Sequence, residues 1–130
     1  MVPLDNSNWV QQEPIDITFD ITDPTATYSL YYTLRYTVDY PYYNIWLNRS
    51  ILNSKQQMIS KKLQGLDLFN GKSGEPMGGG FGNSFDIEIL SDSTLRFPTA
   101  GTHTLRIQQY MRQDTLKGIE AVGIKLKQNL

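Results

Sequence analysis

Few residues in this chain are spaced for chemistry. Asp86 and Glu88 in "FDIEIL" lie two apart, which on an extended strand puts their carboxylates on one face about 7 Å apart. That spacing would suit a glycosidase acid–base pair or a hard cation. The alternation around them, with Phe85, Ile87 and Ile89 inward, turns both carboxylates to water, where charges ordinarily sit. Asp20 and Asp23 in "DITDPT" could offer oxygens to calcium, but the dense ligand set of a calcium loop is absent and the stretch reads as a turn. The single histidine, His103, falls in mid-strand on the apolar side. With no G-x-S-x-G element to supply a nucleophile, it reads as a satisfied core or half-buried residue. There is no cysteine, which excludes disulfides, zinc–thiolate sites and a thiol nucleophile.

Two stretches remain as binding candidates. "GEPMGGGFGN", Gly74 to Asn83, is rich in glycine, but no Lys-Ser/Thr pair follows Gly82 and the next element, "NSFDIEIL", is a strand. A phosphate cradle needs that lysine, that hydroxyl and a helix. The stretch is therefore expected to be part of a long sheet-to-sheet connection, Asn70 to Asn83, whose glycines relax backbone limits. "DYPYYNIW" gathers Tyr40, Tyr42, Tyr43 and Trp46 at a turn. Rigid amphipathic rings there could stack on a sugar or a protein partner, or form a corner with hydroxyls bonded to backbone. The candidate interaction surface is thus Tyr40, Tyr42, Tyr43 and Trp46 with Gly78, Gly79, Gly80 and Phe81.

The elements that must position these residues are strands. "YSLYYTLRYTV" alternates over Tyr28 to Val38, with Tyr28, Leu30, Tyr32, Leu34, Tyr36 and Val38 on one face. "IDITFDI" aligns Ile15, Ile17, Phe19 and Ile21, and Asp23–Pro24 marks the turn that follows. Ile45, Leu47 and Ile51 share a face, as do His103, Leu105 and Ile107, and Val122, Ile124 and Leu126. A weaker strand is expected at Met58 to Leu66, a short one at Leu95 to Phe97, and at most one helical turn in "RQDTLKGIE". The fold class predicted is all-β: an antiparallel, jelly-roll-like β-sandwich of seven to eight strands, forming one domain over residues 1–130. A hydrophobic content of 39% with 19% charged residues is not that of a disordered chain. The net charge of −1 with no basic run argues against nucleic acid as a partner.

Taken in order, these segments resemble one family. Arg35, Asp39-Tyr40-Pro41-Tyr42 and Asn44 resemble the "LR…DYPY-N" block of the gliding motility-associated lipoprotein GldH family. Gln109, Met111, Arg112, Leu116, Gly118, Ile119, Val122 and Gly123 resemble its "Q-x-MR-x-x-x-L-x-GI-x-x-VG" block, and Gly78 to Gly82 falls at its "G-x-G-x-G" segment. The resemblance implies a bacterial lipoprotein, lipid-anchored in the cell envelope and facing the periplasm, accessory to gliding motility and the linked secretion machinery. It implies no catalytic residues and no cofactor. The expected partners are other envelope proteins, with the membrane reached only through an N-terminal lipid. The alternative is a carbohydrate-binding module. With no lipobox cysteine here, Met1 is expected to stand where the leader and anchor were, and residues 1–8 to form a flexible lead. Arg35, Asp39, Gln109 and Arg112 are expected to form a structural motif. In it, a half-buried arginine must pair with a carboxylate or with carbonyls, and Asp39 and Asp114 are near in sequence.

Overall fold

The computed structural model describes residues 1–80 and 82–130; Phe81 lies outside the described residues. These form ten strands: β1 (Val2–Pro3), β2 (Asn8–Val10), β3 (Ile15–Ile21), β4 (Tyr28–Thr37), β5 (Asn44–Leu52), β6 (Met58–Asp67), β7 (Ser84–Leu95), β8 (Gly101–Gln109), β9 (Thr115–Lys117) and β10 (Ile119–Gln128). Two four-stranded sheets run in the orders β1-β10-β4-β7 and β3-β8-β5-β6, and β2 pairs with β9 in a small third sheet. All the pairings are antiparallel. The chain crosses between the large sheets after β3, β4, β6 and β7, and by way of β2 and β9 after β1 and β8, which is the winding of an eight-stranded jelly roll. The seven long strands match the expected ones, and β1 takes the eighth place beside β10.

The alternation built this core as anticipated. Tyr28, Leu30, Tyr32, Leu34 and Tyr36 of β4 are buried between the sheets, facing Ile45, Leu47 and Ile51 of β5 and Leu105 and Ile107 of β8. Four expectations need correction. Val38 lies one residue beyond β4, in the turn that follows, and is exposed. Leu95 ends β7, so no separate strand runs to Phe97. "RQDTLKGIE" holds the strand β9 instead of a helical turn, because Leu116 is drawn inward opposite Trp9. The start of the chain, expected as a flexible lead, is paired. Val2 and Pro3 lie against Val122 and Ala121, Leu4 N–H donates to Glu120 O at 2.8 Å, and a 3-10 turn at Asp5–Ser7 leads into β2. The lead is polar enough to read as loop, but its backbone groups find partners along β10.

The glycine stretch is a folded hairpin. Met77 N–H donates to Leu68 O at 2.8 Å and Asn70 N–H to Glu75 O at 2.7 Å, with Gly74 in the left-handed region at φ 74°. The chain then turns back along β7, where Gly79 and Asp86 exchange two backbone hydrogen bonds of 3.0 and 2.8 Å. This return covers part of an edge strand that would otherwise offer bare backbone groups. It also explains why glycines stand there. A Cβ on Gly78 would meet Asp86 O at 2.5 Å, and one on Gly80 would collide with the carbonyl of Ser84. A Cβ on Gly79 meets nothing within 4 Å. Gly80→Ala is therefore expected to lower stability by about 1–3 kcal/mol in urea unfolding, and Gly79→Ala by under ~0.5 kcal/mol. Equal effects would contradict this backbone account.

Candidate functional site

The polar residues singled out for chemistry are each taken up by structure. Asp86 lies opposite Arg35 in the β4–β7 register and receives both Nε (2.8 Å) and Nη2 (3.2 Å). Glu88 accepts from Lys125 Nζ at 3.3 Å. Asp23 accepts from the Thr25 N–H and hydroxyl, which hold its carboxyl below the usual range, and Asp20 accepts from Thr102 Oγ1. Among the described residues no group of three or more acidic or histidine side chains is placed to hold a metal. His103 is fully buried: Nδ1 lies 2.9 Å from Gly101 O, and the ring stacks on Phe19 and meets Phe97 edge-on. Its Nε2 has no partner among the described residues, so the side chain is a core residue only partly satisfied.

The expected arginine pairings are revised. Arg35 is half exposed and bonds Asp86, directly across the sheet, not Asp39, which sits past the end of β4 with its N–H on Thr37 Oγ1. Arg112 is exposed and makes no ion pair among the described residues, with Asp114 or otherwise. The Arg35 hydrogen bonds hold the Asp86 carboxyl below its ordinary value of 3.8. A depressed folded-state value means that this pair stabilises above the unfolded value and loses that contribution as pH falls through the folded one. Both groups are solvated and screened, so Arg35→Ala is expected to lower stability only slightly at pH 7. The gap from the parent should close in acid-unfolding curves once pH has fallen past the ordinary carboxylate range and Asp86 is protonated in both states. A gap that persists in acid would mean that Arg35 acts by packing.

The aromatic turn divides. Tyr40 is only 3% exposed; its hydroxyl donates to Asn44 O at 2.7 Å, and burial pushes the phenol well up. It leaves the candidate surface because Gly118 lets the backbone at Asp39–Tyr40 pack against the turn between β9 and β10. Tyr42 is half-buried, edge-on to Tyr40 with ring centroids 5.8 Å apart. Tyr43, 56% exposed, lines a depression with Val38, Phe69 and Gly74 of the glycine hairpin. Trp46, 43% exposed, lies on the outer face of β5 opposite Gly65. A Cβ on Gly65 would lie 3.0 Å from Cζ2 and 3.1 Å from Cε2 and Cη2 of that indole. Near-equal distances to three adjacent atoms place Gly65 under the ring face, so the indole lies flat on the sheet with its other face outward. Gly78, Gly79 and Gly80 run along β7 as described and do not join Trp46, and Phe81 lies outside the described residues.

Trp46 instead meets residues that the sequence reading did not select. Tyr110, 55% exposed, donates its N–H to Trp46 O, and Trp46 N–H is 3.2 Å from Met111 Sδ. Tyr42, Asn44, Trp46 and the run Tyr110–Gln113 enclose a groove of about 370 Å³. Gln109, fully buried, shapes its far wall: Nε2 donates to Gln113 O at 2.9 Å and Oε1 accepts from Met111 N–H at 2.9 Å. Gln11 Nε2 adds a bond to Met111 O. The signal for Tyr110 was present, since alternation with Gln109 inward turns it outward. Its meeting with Trp46 was not.

Compared with known families, the chain matches the model described as GldH lipoprotein over residues 1–126. The chain belongs to the GldH lipoprotein family. The resemblance read from its motifs therefore holds. The gliding motility lipoprotein GldH homolog of Christiangramia forsetii is 27% identical over 128 residues, covering 93% of this chain and 78% of that protein. In this GldH-family chain the C-terminal motif block is structural in large part. Gln109 braces the groove loop, Gly118 permits close approach to Tyr40, and Gly123 is buried against Met1 and Thr33.

Proposed function

We propose that this domain is a non-enzymatic accessory part of a lipid-anchored envelope lipoprotein that faces the periplasm and serves gliding motility and the linked secretion machinery. The observation that carries the reading is the family match over nearly the whole chain. The name of the Christiangramia forsetii relative supplies the link to motility. The geometry supports a binding role over catalysis, because the carboxylates spaced for chemistry, Asp86 and Glu88, are spent on cross-strand ion pairs while aromatic side chains stay exposed. The partners would be other envelope proteins. The test is made in cells carrying the full-length lipoprotein. Loss of the protein is expected to stop colony spreading. Photo-crosslinkers at Tyr43 and Val38 are expected to capture the same envelope proteins, while one at Lys125 on the opposite sheet captures none. Normal spreading without the protein would overturn the motility role. Capture that does not depend on crosslinker position would overturn the surface.

A further inference from the structure

The groove between Tyr42, Trp46 and the Tyr110–Gln113 run has three properties that a protein corner does not need. The Trp46 indole is a fixed flat platform, held by Gly65 beneath it and turned outward above. The loop that faces it is braced from below by the buried Gln109, so the walls are pre-formed. Its volume of about 370 Å³ falls within the range of small-molecule sites, and its polar side chains are two phenols, two amides and a guanidinium. Arg112 is the charged group on the rim, with no carboxylate in ion-pair reach among the described residues.

We propose that this groove is a subsite for an acidic saccharide: a pyranose ring lies on the Trp46 face beside Tyr42 and Tyr110, and a uronate carboxylate is taken by Arg112. The C–H face of a sugar is apolar enough to cover an indole, while its hydroxyls need the kind of amide donors and acceptors that Asn44 and Gln113 carry at the rim. A free guanidinium is the natural partner of a planar carboxylate, which it binds through two parallel hydrogen bonds. An apolar peptide would satisfy the rings but leave the Arg112 charge unused, and a bare anion would leave the rings uncovered. The inference goes beyond the motility reading and stands without it.

The test is a fluorescence titration of the intact domain. Trp46 is the exposed indole and Trp9 is buried, so a ligand on the platform changes the Trp46 part of the emission. The probes are short oligomers of galacturonate, glucuronate and mannuronate, with galactose and mannose oligomers as neutral counterparts. At least one acidic oligomer is expected to saturate with a dissociation constant of about 1 mM or tighter. Its neutral counterpart should bind at least ~10-fold more weakly, a preference that Arg112→Gln removes. Trp46→Ala should abolish the heat of binding in calorimetry. Because Trp46→Ala also uncovers Gly65, Arg112→Gln, which breaks no ion pair among the described residues, is the decisive variant. Absence of saturation by every acidic oligomer would overturn the proposal, as would equal affinity for neutral ones or indifference to Arg112→Gln. Displacement by acetate alone would reduce the site to an anion contact and overturn the saccharide assignment. Self-association that disappears with Trp46→Ala, without sugar binding, would assign the face to a second copy instead.

Discussion

Arg49→Ala is expected to lower the unfolding free energy by about 3–4 kcal/mol, the largest loss for any single polar side chain considered. Arg49 occupies an inward position of β5 and is 1% exposed. Its Nε donates to Ser91 Oγ of β7 at 2.8 Å and its Nη1 to Ser60 Oγ of β6 at 3.2 Å, so one side chain ties both sheets together at their edges. Ser91 Oγ in turn donates to Gln64 Oε1, which also accepts from the Tyr32 hydroxyl at 2.9 Å. Removing the guanidinium leaves these buried groups short of a donor and opens a void. The ion pair itself is a minor part, since Asp92 is 3.7 Å away and partly solvated. Arg49→Met keeps most of the volume, so its loss should be about half as large. Urea unfolding of both variants is the check. A loss under ~1 kcal/mol for Arg49→Ala would mean that water replaces the guanidinium at no net penalty.

Gly118→Ala should come next, at about 3 kcal/mol. Gly118 adopts φ 85°, in the left-handed region, between β9 and β10. A Cβ there would collide with the backbone nitrogen of Tyr40 and lie 2.7 Å from Tyr40 Cα and 2.9 Å from Asp39 C. All three are main-chain atoms, so no side chain can turn away. The strained φ and the forced separation add up, each at roughly 1–3 kcal/mol. The displacement would reach the groove, because Tyr40 holds Asn44 O and supports the Tyr42 ring. Gly118→Ala is therefore expected to shift the Tyr42 and Asn44 resonances in NMR spectra as well as to lower stability. A variant as stable as the parent, with those signals unmoved, would show that the turn can open without strain.

The strands were legible because alternation is a local property. Side chains on an extended backbone point to opposite faces in turn, so the period of "YSLYYTLRYTV" named its buried row without knowledge of any partner. The same rule marks position 49 as inward and position 110 as outward, but it does not say what Arg49 or Tyr110 meets there. The glycine stretch was read as a connection because the residues that hold phosphate are missing from its flanks. Its hairpin and its contact with β7 were hidden, because they depend on backbone groups of Leu68 and Asp86 lying within reach. The short β1, β2 and β9 are not legible in the sequence because each has too few residues to show a period.

The amino-acid sequence by itself determined the all-β class, the inward rows of the long strands, the absence of thiol chemistry and the family. Only the tertiary structure decided who meets whom. It gave Arg35 to Asp86 and not Asp39, drew Tyr40 into the core, placed Arg49 against Ser60 and Ser91, and brought Tyr110 and Arg112 into one groove with Trp46. The reason is that side-chain direction follows from the local backbone, whereas neighbours follow from strand register. Register is set by the whole pairing of β4 with β7 and of β5 with β8, across separations that no local pattern encodes.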